Sequence, residues 1–315
     1  MDSLTEKIRE LASGLLKDNK VDIVIGFTQG TIPMATSPKI ARTPEQAMEF
    51  VWNSNCSLNL ANYLSNQKGR IGIVAKGCDS RNIINHIIEN KISREQLHII
   101  GVPCTGMIDK VKTESAVKGE IVDFSEDQNK IIVKTESDKK SLDKKDLLRS
   151  NCMTCTHRNP VIYDDLASDL VEEQEIKDPF EDVRKIEEMD SNEKWNHFES
   201  LLENCIRCYA CRNACPLCYC PTCFVDESDP QWVGKGNNKT DVRTFHFLRA
   251  YHCAGRCTDC GACEQACPMD IKVRDFTRKL NKDALEIYGW EAGLTLEKRP
   301  PLDTFNPEDP DDFIK

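Results

Sequence analysis

Apolar positions recur in this chain with two different periods, and the change from one to the other divides it. Near the start, Leu4, Ile8, Leu11 and Leu15 fall three or four residues apart among polar neighbours, which is the spacing of one helical face. Short, mostly apolar runs follow at residues 21–25, 72–75 and 97–102. Each is too short and too rich in β-branched residues for a helix, and each reads as a strand buried on both faces. Between the first two, Thr43 and Gln46 flank Pro44 as a capping box, and Met48, Val51 and Trp52 begin the stripe of a longer helix. Residues 120–135, centred on Asp127, Gln128 and Asn129, read as a β-hairpin at a sheet edge or over a site. Helices alternating with buried strands predict an α/β domain over residues 1–170.

Acidic residues dominate positions 171–193, and Asp178-Pro179 interrupts any helix, so this stretch reads as a linker. Beyond it the pattern is helical. Trp195, Phe198, Leu201 and Leu202 share a face just before Cys205, and Val242, Phe245, Leu248 and Tyr251 share one before Cys257. Asp270 is placed to cap a further helix carrying Val273, Phe276, Leu280 and Leu285. A mainly α-helical second domain is therefore expected over residues 194–290. Residues 291–315 mix Pro300, Pro301, Pro307 and Pro310 with acidic groups, a composition that makes no core by itself. They read as a loose tail, or as an arm that docks Phe305 and Phe313 on a partner.

Composition narrows the function. The length of 315 residues suits about two domains. Seventeen cysteines accompany neither a signal-peptide pattern nor an apolar run near the ~18 residues needed to cross a bilayer. The expectation is a cytoplasmic chain whose thiols stay reduced and free for metal. A formal charge of −10 argues against a nucleic-acid surface, and the basic residues at 130–149 alternate with Glu136, Asp138, Asp143 and Asp146 as on a solvated face. No Ser-His-Asp set or paired-carboxylate constellation stands out.

The cysteine spacing carries the chemistry. Cys205, Cys208, Cys211 and Cys215 precede Pro216, and the same run recurs as Cys257, Cys260, Cys263 and Cys267 before Pro268. This is the ligand run of a ferredoxin with two 4Fe-4S clusters, in which the fourth cysteine of each run serves the other cluster. One cluster is then expected on Cys205, Cys208, Cys211 and Cys267, the other on Cys257, Cys260, Cys263 and Cys215. The 41 residues between Cys215 and Cys257 exceed what a compact bacterial-type ferredoxin needs. The arrangement resembles the α-helical ferredoxin domain of the iron-sulfur subunits of heterodisulfide reductase and succinate dehydrogenase.

A further set lies upstream. Cys78 and Cys104 follow predicted strands directly, where ligands of open α/β sheets collect, and Cys152 with Cys155 completes a four-thiol set. Spacing alone leaves zinc and a 4Fe-4S cluster both open. The residues GFTQGTIPMATS at 26–37, VAKGCDSR at 74–81, GVPCTG at 101–106 and the Cys152/Cys155 pair resemble the N-terminal part of the beta subunits of deazaflavin-reducing hydrogenase and formate dehydrogenase. That resemblance covers about the first 165 residues and implies a 4Fe-4S cluster on Cys78, Cys104, Cys152 and Cys155. The flavin-holding C-terminal region of that family is read here as replaced by the cysteine-rich module. Gly26, Thr28, Gln29, Gly30 and Thr31 remain candidates to present N–H groups to the phosphate of an FAD. No dinucleotide glycine motif supports NAD.

Cys218, Cys220 and Cys223, with Cys253 or Cys56 as a fourth, form a candidate for one more cluster or a zinc site, and Cys218 competes with Cys215 as the remote ligand. His157 and His252 stand beside cysteines as ligands, as hydrogen-bonding tuners, or as plain half-buried residues. The function expected is an electron-relay subunit of a multisubunit anaerobic oxidoreductase, partnered by a catalytic subunit and a flavoprotein. The alternatives are a flavin oxidoreductase that exchanges electrons with a deazaflavin or nicotinamide donor, and a zinc-stapled assembly protein.

Overall fold

The computed structural model describes residues 3–65, 67–127 and 129–303. Helix α1 (Ser3–Lys17) buries Ile8, Ala12, Leu15 and Leu16 against a sheet that starts with β1 (Ile23–Gln29) and β2 (Thr36–Ala41). These two strands pair antiparallel, from Val24 opposite Ala41 to Gln29 opposite Thr36. The longer helix expected after Thr43 is one turn only, α2 (Pro44–Ala47), with Thr43 accepting from the Gln46 N–H. Beyond it Met48 is exposed, whereas Phe50 bridges to Thr28 and Trp52 meets Phe27 edge-on at 6.1 Å. Residues 50 and 52 alternate as in a strand and close the end of the sheet, and this burial outcompetes a second helical turn.

β3 (Ile71–Ala75), buried at every residue, leads into α3 (Gly77–Ile88), and β4 (Leu97–Gly101) follows. After α4 (Lys110–Ser115) comes a separate antiparallel sheet of β5 (Ile121–Asp127), β6 (Lys130–Thr135) and β7 (Lys139–Asp143). The expected hairpin thus gains a third strand, largely exposed and charged, which gives no apolar alternation to read. Its own small core joins Ile131 and Val133 to Met34, Ile108 and Leu147. Helices α5 (Lys144–Leu147) and α6 (Ser150–Met153) then return to the main sheet, where β8 (Asp165–Leu166) adds to β4. The order is β2-β1-β3-β4-β8, with all but β2 parallel.

The cysteine-rich half comprises α7 (Glu181–Glu187), α8 (Ser191–Leu202), α9 (Ala210–Asn213), α10 (Lys239–His252), α11 (Ala262–Gln265) and α12 (Arg274–Tyr288). Leu202, Val242, Phe245, Ile271 and Phe276 form its core, while Trp195, Leu248 and Tyr251 of the predicted stripes stay exposed. The acidic stretch is ordered by α12. Asp182 meets Arg278 at 2.6 Å and Glu187 meets Lys279 and Lys282, each at 2.9 Å. α12 begins after Val273 rather than at an Asp270 cap: Asp270 has a left-handed backbone and its carboxylate binds Lys272. From Trp290 the chain turns back, and Arg299 donates to the Ile88 carbonyl at 2.6 Å. Phe305, Pro307, Pro310 and Phe313 lie outside the described residues. Among the described residues no helix is long and apolar enough to cross a membrane.

Helix α3 is the element absent from the hydrophobic pattern. Arg81, Asn82, Asn85 and His86 are buried along with its isoleucines. Asn82 donates to Thr258 Oγ1, Asn85 to the Arg256 carbonyl, and His86 Nε2 to the Pro216 carbonyl, each at 2.7 Å. Arg81 donates to the Ala292 carbonyl, also at 2.7 Å. The helix is therefore sandwiched between the parallel sheet and the cysteine-rich half. Ile73 sits fully buried mid-sheet, opposite Ile25 and Ile99. Ile73→Ala should cost about 2–5 kcal/mol, read as a lower midpoint in urea unfolding.

Candidate cofactor site

The site is built where the parallel strands end. β3 stops at Ala75 and the chain enters α3 through Lys76, Gly77 and Cys78. A Cβ on Gly77 would lie 2.3 Å from the His157 carbonyl oxygen, so the backbones approach as only glycine allows. Lys76 and Asp79 are buried together with Nζ and Oδ2 2.9 Å apart. Lys76 also donates to the Leu58 carbonyl at 2.7 Å, and the Leu60 N–H donates to Asp79 at 2.9 Å. Burial alone would discharge Lys76, but the charges of Asp79, Cys78 and Cys104 reverse this and raise its pKa above the ordinary lysine value.

At the end of β4 the turn through Val102 and Pro103 presents Cys104, whose sulfur accepts the Gly106 N–H at 3.4 Å. α6 carries Cys152, whose sulfur accepts the Met107 N–H at 3.4 Å. Burial pushes the Cys104 thiol up to about 11 and the Cys155 thiol up to about 12, with Cys152 reinforcing both. Burial also raises Cys78, against the pull of Lys76, and Cys104 and Cys260 are among the charges that act on it. Cys78, Cys104, Cys152 and Cys155 together wall a cavity of about 420 Å³. Cys257 and Cys260 of the second run line the same cavity. Asn151, next to Cys152, donates to the Cys260 carbonyl at 3.0 Å and ties the two walls together.

The two cysteine runs share one backbone form. Arg207 and Asp259, each two residues after the first cysteine, are left-handed, as are Tyr209 and Gly261 two residues further on. Each run then enters a four-residue helix, α9 or α11. Burial raises Cys205 and Cys211; Cys208 and Cys267 act on the first, Cys205 and Cys267 on the second. Burial likewise raises Cys257, Cys260 and Cys263, and the charge of Cys215 acts on all three. Cys208 is exposed, while Cys211 is buried.

Two polar residues of α10 that sequence reasoning passed over lie between these thiols. His246 is buried, with Nε2 3.3 Å from Cys205 Sγ, and burial with Arg249 and Arg207 lowers its pKa to about 3. Arg249 is buried one turn later and donates to the Cys211 carbonyl at 3.0 Å. The signal was present in principle, as polar residues on the same face as Val242 and Phe245. His157 instead meets Glu291 at 3.3 Å, and His252 packs edge-on against Phe224.

Of the surplus thiols, Cys218 and Cys253 hydrogen-bond Cys215, and these two bonds, with Arg249 beside them, hold the Cys215 pKa well below the ordinary thiol value. Cys223 hydrogen-bonds Arg212, Cys220 is exposed, and Cys56 is buried in the first half, accepting the Asn53 N–H. Among the described residues no three Cys, His, Asp or Glu side chains are placed to share a single metal ion.

A second, open cleft of about 1050 Å³ lies beyond the carboxyl ends of β1 and β4. Gln29, Gly30, Thr31 and Met34 line it on one side, Asp123 to Asp127 on another, and Cys104 and Gly106 belong to both its wall and that of the thiol cavity.

This fold and site describe an α/β protein with thiol sets at its strand ends and a cysteine-rich helical half packed over them. The chain resembles the beta subunits of F420-dependent formate dehydrogenases. It is 25% identical to subunit beta of that enzyme from Methanocaldococcus jannaschii, covering 91% of both chains. It is 24% identical to the formate dehydrogenase 1 subunit beta of Methanococcus maripaludis, covering 91% of this chain and 90% of that one. The match leaves under a tenth of the chain unaligned, so it is not confined to the first 165 residues but runs through both cysteine-rich runs. A solved chain of the F420-reducing [NiFe] hydrogenase complex from Methanosarcina barkeri aligns with a TM-score of 0.39 and 14% identity, over 49% of this chain and 62% of that one. No family model matches the sequence.

Asp79→Asn would leave Lys76 buried without its counter-charge. A loss of about 3–5 kcal/mol is expected, measured by chemical denaturation.

Proposed function

We propose that this chain is an iron-sulfur electron-transfer subunit that relays single electrons inside a multisubunit oxidoreductase of formate dehydrogenase or hydrogenase type. What supports this reading is the repeated cysteine spacing at 205–215 and 257–267, packed beside a cavity that Cys78, Cys104, Cys152 and Cys155 wall. Cys205, Cys208, Cys211 and Cys267 would hold one 4Fe-4S cluster, and Cys215, Cys257, Cys260 and Cys263 a second. Cys78, Cys104, Cys152 and Cys155 would hold a third, across a cavity that Cys257 and Cys260 also line. The surroundings fit such groups. Backbone N–H groups of Gly106, Met107 and Ile271 point at the sulfurs of Cys104, Cys152 and Cys267, each at 3.4 Å, and His246 Nε2 lies 3.3 Å from Cys205 Sγ. Bound clusters supply one-electron storage at potentials set by burial, charge and hydrogen bonds to sulfur.

The residues around the sets give the relay two ends. Cys208 is exposed on the helical side, and Cys104 borders the open cleft on the sheet side. Electrons would enter at one end and leave at the other, with the catalytic subunit docked at one of them. The formate chemistry named for the relatives would then belong to that partner, and a flavoprotein would dock at the other end.

A second reading is favoured by the cleft itself. Its volume and its position at parallel strand ends suit an FAD, with the loop from Gln29 to Met34 against the phosphates and Cys104 leading to the nearest thiol set. The chain would then exchange electrons with a deazaflavin or nicotinamide donor directly.

Metal and cofactor analysis of anaerobically purified protein separates these. Three clusters require about twelve irons with equal acid-labile sulfide; bound FAD would add the second reading, and zinc without sulfide would overturn both. Cys208→Ser is expected to remove or convert one cluster signal in EPR of the reduced protein. Cys104→Ser should remove a different signal and leave the other two intact.

A further inference from the structure

We infer that Lys144 is the charged residue that holds the ring of a flavin in the open cleft, binding the two-electron-reduced form more tightly than the oxidised one. The inference rests on the flavin reading of that cleft and assigns the part of the site that faces the thiols.

Three carboxylates line the cleft, those of Asp123, Glu126 and Asp127, and Lys144 is the one basic side chain among the described residues of its wall. An anionic group is therefore favoured by charge at one place in it. Lys144 is buried and fixed at both ends. Its backbone N–H, at the start of α5, donates to the Asn129 carbonyl at 2.8 Å, and its Nζ donates to Thr105 Oγ1 at 2.9 Å. Glu126 lies 4.0 Å from Nζ, beyond hydrogen-bond distance, and its carboxylate is held by the Ser54 N–H and hydroxyl. An ammonium carries three N–H donors, and Thr105 takes one of them. Both Thr105 and Glu126 line the cleft, so the charge between them stands in its wall.

The position selects the ring rather than the phosphates. Thr105 follows Cys104 directly, and Cys104 and Gly106 on either side of it line the thiol cavity as well as the cleft. A flavin passes electrons through its ring, so the ring belongs at this end, leaving the loop from Gln29 to Met34 for the phosphates. A hydride from a deazaflavin or nicotinamide donor brings two electrons and one proton, and the ring that takes it up gains one negative charge. The electrons then leave singly toward the Cys104 set, and the proton returns to solvent. A fixed ammonium stabilises the added charge and acts much less on the neutral oxidised ring.

The test is anaerobic equilibrium dialysis of iron-loaded full-length protein against FAD, once oxidised and once fully reduced with excess dithionite, with bound flavin counted by fluorescence after acid release. In Lys144→Met the affinity for reduced FAD should fall about tenfold more than that for oxidised FAD, which by linkage lowers the midpoint of the bound flavin by about 30 mV for two electrons. Lys144→Arg keeps the charge and should keep the preference for the reduced form. Lys144→Gln, neutral but still able to donate to Thr105, should match Lys144→Met, and it carries the test if Lys144→Met does not retain iron. Equal losses in both oxidation states would place the diphosphate at Lys144 and overturn the assignment to the ring. Unchanged affinities in the neutral variants would overturn the inference outright, as would a preference lost in Lys144→Arg as fully as in Lys144→Met. Loss of iron from both neutral variants would assign Lys144 a structural role and overturn it too. Wild-type protein that binds neither form would overturn the flavin reading of the cleft itself, an outcome distinct from a wild type that binds FAD and variants that bind it equally well.

Discussion

The arrangement depends on one buried polar helix. α3 starts at a glycine pressed against the His157 carbonyl and runs between the parallel sheet and the cysteine-rich half. Ile83 and Ile87 pack into the sheet's core, while Asn82, Asn85, His86 and Arg81 are buried against the other half and bonded to its backbone and hydroxyl groups. An unpaired buried amide or imidazole costs on the order of 1–3 kcal/mol, so these polar residues are tolerable only while the second half is in place. The same bonds hold the Cys257 run over the strand ends. The two halves and the thiol cavity between them thus depend on the same buried polar bonds.

Electrostatics then sort the interior. Lys76 and Asp79 neutralise each other beneath Cys78, and Arg256 pairs with Glu89 where α3 ends. Acidic residues between the halves, poor in apolar groups, attach through the basic face of α12 instead of through a core. Burying an ion without compensation costs several kcal/mol even after relaxation.

Those runs also show how backbone shape repeats where side chains differ. Arg207 and Asp259, then Tyr209 and Gly261, adopt the same left-handed turns in corresponding places. For Tyr209 this conformation is unfavourable in isolation, and its ring is held by Phe245, edge-on at 5.1 Å, and by the guanidinium of Arg207. A loop that wraps back over its own cysteines is formed twice, from sequences that share only those cysteines, two alanines and the closing proline.

Local pattern alone determined the first helix, the buried strands of the parallel sheet, the helices preceding Cys205 and Cys257, and the spacing of the cysteines. In each of these the period of the apolar residues or the count between thiols is itself the physical cause. Tertiary structure decided the rest. Trp52 left a helical stripe to close the sheet beside Phe50, β7 joined its sheet on charged residues, and Asp270 gave its carboxylate to Lys272 rather than to a helix cap. α3 could not be read because its buried polar face is written like a solvent face, and only a partner 130 or more residues away satisfies it. His246 and Arg249 were hidden for the same reason. Burial of a polar group is fixed by what packs on it from elsewhere in the chain, and neither the position of that neighbour nor its charge is encoded within the segment itself.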